Sequence, residues 1–138
     1  MHNFYYHRIY SKDFEMIKRK HYLEKIKPFI EKPVIKVITG MRRVGKSTFL
    51  KQLIEELVLP ISQNDTVIYI NKESLEFDFI KTYSDLDDYV LNKTILKNKK
   101  YYLIIDEIQE IENWEKAIIS FHSSNNYDIY ITGSNAHL

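Results

Sequence analysis

The sequence predicts an α/β domain: a parallel β-sheet of about four strands held between helices on both faces, a three-layer arrangement. Three observations point there. Short runs rich in β-branched and aromatic residues alternate with segments of helical periodicity, the pattern of parallel strands joined by crossovers. One run, Tyr101-Tyr102-Leu103-Ile104-Ile105, is apolar throughout, as a strand covered on both faces requires. A glycine-bearing turn, Gly40 to Ser47, joins the first run to a clearly amphipathic helix.

Residues 1–12 carry no periodic signal. A helix is predicted from Asp13 to about Ile30, with Phe14, Ile17, Leu23, Ile26 and Phe29 as a rough apolar stripe and Pro28 ending or bending it. Its basic residues between Lys18 and Lys27 read as a solvated face, with a nucleic-acid or phosphate contact as the sharper alternative. Val34 to Thr39 is the first strand. Thr48 to Leu57 is the next helix, because Phe49, Leu50, Leu53, Ile54 and Leu57 fall on one face, and Pro60 suits its end.

Thr66 to Asn71 is the second strand, and residues 72–82 connect it onward. Ser84-Asp85-Leu86-Asp87-Asp88 opens a helix with acids facing its positive dipole end, running to about Lys97. After the third strand, Tyr101 to Ile105, a helix from about Asn113 to His122 packs through Trp114, Ile118 and Phe121. Tyr127 to Ile131 is the fourth strand and delivers Thr132-Gly133-Ser134-Asn135 at its carboxyl end. The crossovers are expected to be right-handed. The expected division is an N-terminal arm and helix, 1–30, and an α/β core, 31–138.

The chemistry concentrates at the ends of two strands. Gly40-Met41-Arg42-Arg43-Val44-Gly45-Lys46-Ser47 matches the G-x-x-x-x-G-K-[ST] phosphate-binding loop, in the required order of strand, loop and helix. Gly40 and Gly45 are two of only three glycines in the chain, and a loop that wraps phosphate needs their backbone freedom. Backbone N–H groups and the helix N-terminus then attract an anion, Lys46 reaches the β- and γ-phosphates, and Ser47 holds Mg²⁺. Ligands of open parallel sheets bind beyond the carboxyl ends of the strands, where Asp106 and Glu107 follow the third strand. Asp106 is expected to hold Mg²⁺ opposite Ser47, and Glu107 to orient or deprotonate water. Glu110, Glu112 and Glu115 read as solvated or helix-start acids rather than a second metal site. At the fourth strand end Thr132, Ser134 and Asn135 are candidates to feel the γ-phosphate or position water, with a polar turn as the plainer reading.

Composition narrows the classes. At 138 residues the chain fits one domain with a real core, and a net charge of +1 provides no general field toward nucleic acid or membrane. There is no cysteine, hence no disulfide framework or thiolate metal site, and the five histidines lack ligand spacing. No stretch approaches a membrane span and residues 1–10 lack the apolar core of a signal peptide, so the expected location is cytoplasmic.

Four ordered blocks resemble the AAA+-type P-loop ATPases of the AAA_14 family, often found with a DUF4143 C-terminal region. They are the loop Gly40 to Thr48, the strand end Ile104-Ile105-Asp106-Glu107-Ile108-Gln109, the helix start Trp114-Glu115-Lys116, and Ile131-Thr132-Gly133-Ser134-Asn135. The similarity runs from about residue 15 to the C-terminus. It implies an incomplete AAA+ core of about four strands, binding ATP and Mg²⁺. By resemblance Lys46 and Ser47 are Walker A residues, with Gly40, Arg42, Arg43, Val44, Gly45 and Thr48 completing the nucleotide loop. Asp106 and Glu107 are Walker B, and Ser134 or Asn135 is sensor 1. Arg42 and Arg43 either tune phosphate affinity or face away toward a neighbouring element.

The chain stops at Leu138, just past the fourth strand. The family pattern places a fifth strand, sensor 2 and the arginine finger beyond that point. The expectation is therefore the N-terminal piece of a longer ATPase, with its first strand at an open sheet edge. The leading functional expectation is Mg-ATP binding and, in the complete protein, hydrolysis. The alternative is a non-hydrolytic, nucleotide-dependent interaction module associated with nucleic acid. A homo-oligomer is compatible with either, and the macromolecular partner is not legible in the sequence.

Overall fold

The computed structural model describes residues 20–39, 44–63, 66–96 and 98–133. Helix α1 (residues 20–26) passes into a single 3₁₀ turn at Lys27–Phe29, with Pro28 inside the turn where its missing N–H is harmless. Strand β1 (Lys36–Ile38) is followed by helix α2 (Val44–Gln52). Strand β2 (Val67–Asn71) leads through a connection containing a 3₁₀ turn at Leu75–Phe77 to helix α3 (Tyr83–Lys93). Strand β3 (Tyr101–Asp106), helix α4 (Trp114–Ser123) and strand β4 (Tyr127–Thr132) complete the order.

All pairings are parallel, in the spatial order β1-β4-β3-β2. Successive strand residues point to opposite faces, so each strand feeds two cores. Leu103 and Ile105 of β3 and Ile129 and Ile131 of β4 pack with Leu86 and Val90 of α3 and Ile118 and Phe121 of α4. On the other face Ile104 and Tyr130 pack with Leu23 and Ile26 of α1, Phe49 and Leu50 of α2, and Leu53 just beyond it. Helices on both faces of a parallel sheet make the three layers the sequence predicts.

Several boundaries differ from expectation, each for a tertiary reason. The first strand is shorter than Val34 to Thr39: Pro33 cannot donate to a ladder, and Val34 stands half exposed outside it. This strand lies at the sheet edge, with Val37 also half exposed. The helix expected to end at Leu57 widens into a π-helical turn over Leu53–Val58, which leaves both terminal side chains of that turn fully buried. Helix α3 stops at Lys93 because the Thr94 hydroxyl bonds back to the Val90 carbonyl at 2.9 Å and meets the Tyr127 hydroxyl at 2.7 Å. Its start is a full capping box: Thr82 accepts from the Asp85 N–H, and the Asp85 carboxylate accepts from the Thr82 N–H.

The amino ends of the strands carry an unexpected polar cluster. Lys36 and Asp128, 92 residues apart, form a buried ion pair. Asp128 also accepts from the Tyr130 hydroxyl at 2.5 Å and from the Glu31 N–H at 2.9 Å, while the Tyr102 hydroxyl donates to the Glu31 carboxylate. Burial first, and the neighbouring carboxylates second, push the Tyr102 and Tyr130 phenols well above the ordinary tyrosine range. Among the described residues, no helix is long and apolar enough to cross a membrane.

Candidate active site

The opposite, carboxyl ends of the strands gather the residues singled out by motif. Asp106 is the last residue of β3 and is fully buried. Alternation along β3 puts it on the same face as Ile104, the face covered by α2. Ser47, on the first turn of α2, therefore stands opposite it, and the Ser47 hydroxyl donates to Asp106 Oδ2 at 3.3 Å. The other carboxylate oxygen, Oδ1, accepts from the Thr132 hydroxyl of β4 at 2.5 Å.

Glu107 follows with φ 60°, in the left-handed region that non-glycine residues rarely occupy. Its backbone N–H donates to the Thr132 hydroxyl oxygen at 3.1 Å, so one threonine braces both acids. The turn sends the Glu107 carboxylate to Lys46, with which it forms a buried ion pair, and Gln109 Nε2 donates to its second oxygen. Gly45 and Lys46 are buried and Thr48 half-buried on the same turn of α2. Val44 opens that helix. Gly40, Arg42 and Arg43 in the loop, and Ser134 and Asn135 after β4, lie outside the described residues.

Two further groups flank the acids. The Tyr69 hydroxyl of β2 is buried and has no hydrogen-bond partner among the described residues. Burial chiefly, then the charges of Asp106 and Glu73, push its phenol from 10.0 to about 12. Lys72 donates its backbone N–H to the Asp106 carbonyl at 3.1 Å, and its ammonium to the carbonyls of Phe77 and Ile80 at 2.6 and 2.5 Å. Burial outweighs the nearby acids and lowers its pKa. Glu110, Glu112 and Glu115 are exposed, as expected of solvated acids.

Thr132, a candidate to feel the γ-phosphate or position water, ties Asp106 to Glu107 through its hydroxyl. In the sequence Gln109 stands out only as the end of a family block, and Tyr69 only as a strand residue. Gln109 stands two residues beyond Glu107, but only a tight turn brings the two side chains together, and such a turn leaves no periodic trace. Beside the edge strand lies a groove of about 430 Å³ lined by Tyr22, Lys25, Phe29, Thr39 and Phe49, among others.

A hydroxyl and a carboxylate at 3.3 Å are hard oxygen donors of the kind Mg²⁺ takes alongside substrate phosphates. Among the described residues, no group of three or more His, Asp and Glu side chains is assembled to hold a metal by itself.

A parallel sheet ordered β1-β4-β3-β2, with helix α2 following β1 and an acid closing β3, defines an α/β fold of the P-loop NTPase type. Two chains in structures of the Drosophila origin recognition complex share it. One, from ORC bound to DNA, matches with a TM-score of 0.55 and 13% identity over 91% of this chain and 81% of that one. The other, from ORC bound to AT-rich DNA and Cdc6, matches with a TM-score of 0.59 and 15% identity over 99% of this chain and 53% of that one.

The chain belongs to the AAA_14 family of AAA domains, whose profile matches residues 32–138. An uncharacterized protein of Haemophilus influenzae is 39% identical over 123 residues, covering 89% of this chain and 31% of that protein. An uncharacterized protein of Methanocaldococcus jannaschii is 38% identical over 104 residues, covering 75% and 22% respectively. The chain thus spans under a third of the length of these relatives. Family and fold together suggest a nucleotide-binding, ATPase-like domain.

Proposed function

We propose that this chain binds Mg-ATP at the carboxyl ends of β1, β3 and β4, and that the protein containing it hydrolyses ATP to ADP and phosphate. The observation that carries the reading is the approach of Ser47 Oγ to Asp106 Oδ2 at 3.3 Å, joining the end of the loop helix to the end of β3. Lys46 supplies a positive charge for the β- and γ-phosphates, and backbone N–H groups from Gly40 to Thr48 cradle them. Ser47 and Asp106 would hold Mg²⁺, which when bound neutralises charge on the phosphate oxygens. Glu107 sits one residue beyond Asp106, placed to accept a proton from water. Thr132 fixes both acids from β4. Arg42, Arg43, Val44 and Thr48 belong to the proposed nucleotide loop, and Ser134 or Asn135 to the γ-phosphate side. The groove beside Tyr22 and Thr39 is proposed to receive the base.

The proposed organisation is an N-terminal arm and helix, residues 1–30, on an ATPase core that occupies the rest. Calorimetric titration with Mg-ATP tests the reading. Micromolar binding that Lys46→Ala abolishes is expected; equal binding by the variant would refute it.

A second reading, nucleotide-dependent association with nucleic acid, has two observations in its favour. Lys20, Lys25 and Lys27 of the α1 segment are all exposed, and the two ORC chains come from complexes with DNA. It requires steeply salt-dependent binding to duplex DNA; absence of binding at low salt removes it.

A further inference from the structure

We propose that Glu107 competes with phosphate for Lys46, so that the proposed general base also restrains nucleotide binding until a phosphate displaces it. The inference rests on the nucleotide reading above and adds a self-restraining contact to the same site.

The Lys46 ammonium and the Glu107 carboxylate are paired, and both side chains are more than nine-tenths buried. Neither charge can leave its partner without cost, because a buried ion stripped of its counter-ion loses both Coulomb attraction and solvation. A phosphate needs that same ammonium. Nucleotide binding therefore exchanges one anion for another on Lys46, and the apparent affinity falls short of what an unpaired lysine would give. Gln109 completes the device: its Nε2 donates to the second Glu107 oxygen and retains the carboxylate after Lys46 has left. The Thr132 hydroxyl meanwhile anchors the Glu107 backbone. The freed carboxylate thus stays beside the site, no longer neutralised by the lysine.

ADP is the probe, because it engages Lys46 through its β-phosphate and no hydrolysis confuses the reading. Calorimetric titrations compare the chain with Glu107→Gln, which removes the charge at constant shape, and Glu107→Asp, which keeps the charge but retracts it by one methylene. Both are expected to tighten ADP binding, the first by about tenfold or more. Tightening by Glu107→Gln alone would reveal general charge repulsion in place of the pair and overturn the proposal. No tightening in either, with ADP binding still lost in Lys46→Ala, overturns it while leaving the nucleotide reading intact. Folded proteins that bind no ADP in any form overturn both.

A measurement without nucleotide guards against a variant that folds poorly. In thermal unfolding of the ligand-free chain, Lys46→Met and Glu107→Gln should be non-additive when combined. Strict additivity means that no pair exists, and overturns the proposal.

Discussion

The Thr132 hydroxyl donates to Asp106 Oδ1 at 2.5 Å, and the bond links the carboxyl ends of two neighbouring strands. The Thr132 hydroxyl oxygen in turn accepts the Glu107 N–H, so a single β4 side chain sets the position of both acids proposed for the site. Thr132→Val keeps the shape and removes the hydroxyl, leaving a buried carboxylate oxygen and a buried N–H without that partner. We expect a loss of about 1–3 kcal/mol in urea unfolding, together with weaker Mg²⁺ dependence of nucleotide binding. Thr132→Ser should restore both.

Lys36 and Asp128 pin the amino ends of β1 and β4 in the same way, with side chains almost wholly buried. Asp128→Ala leaves the Lys36 ammonium with only the Lys32 carbonyl and no counter-ion, and takes the acceptor from the Glu31 N–H and the Tyr130 hydroxyl. A destabilisation of about 3–5 kcal/mol is expected in denaturant titration. The double change Lys36→Met with Asp128→Leu should recover much of that loss, because no buried charge then remains uncompensated.

Three buried phenols make an alkaline limit. Tyr69, Tyr102 and Tyr130 all hold their protons more tightly in the fold than in the open chain, through burial first. A folded pKa above the unfolded one gives stability that is complete below the unfolded value and is lost as pH rises toward the folded value. For Tyr69 the window runs from 10.0 to about 12. Stability followed by circular dichroism, with tyrosinate absorbance alongside, should decline across this window. Tyr69→Phe should make the decline shallower.

At the start of α3 the sign reverses. Backbone N–H groups of Lys81 and Thr82 hold the Asp85 carboxyl below its ordinary value. Its contribution is present above the unfolded pKa and is lost as pH falls through the folded one. Asp85→Asn should flatten the acid limb of the stability profile, and Thr82→Ala should remove about 1 kcal/mol at neutral pH.

Gln109→Leu is expected to leave ADP affinity within about twofold of the parent chain, because its side-chain amide donates to the Glu107 carboxylate. Where ATP turnover is measurable, the variant should lower the turnover number while KM stays near its original value. A rise in KM alone would assign Gln109 to nucleotide binding instead.

Most of the architecture was legible because it is written locally. The apolar run Tyr101 to Ile105 reads as a doubly covered strand, and β3 is buried along its whole length. The acids following it and the glycine loop before Thr48 are contiguous motifs, readable without knowing what lies beside them. Boundaries were less legible. Thr94 ends α3 by reaching Tyr127, and nothing near Thr94 announces that contact.

By itself, then, the sequence determined the alternation of strands and helices, the loop type and the identity of the acids, since backbone preference and side-chain periodicity act over a few residues. The tertiary structure alone decided their mutual partners. Strand order and register put Asp106 and Thr132 on the α2 face, paired Lys36 with Asp128, and turned Glu107 onto Lys46. Those contacts join charges and hydroxyls far apart in the chain, and they form only when burial removes the water that would otherwise satisfy each group alone.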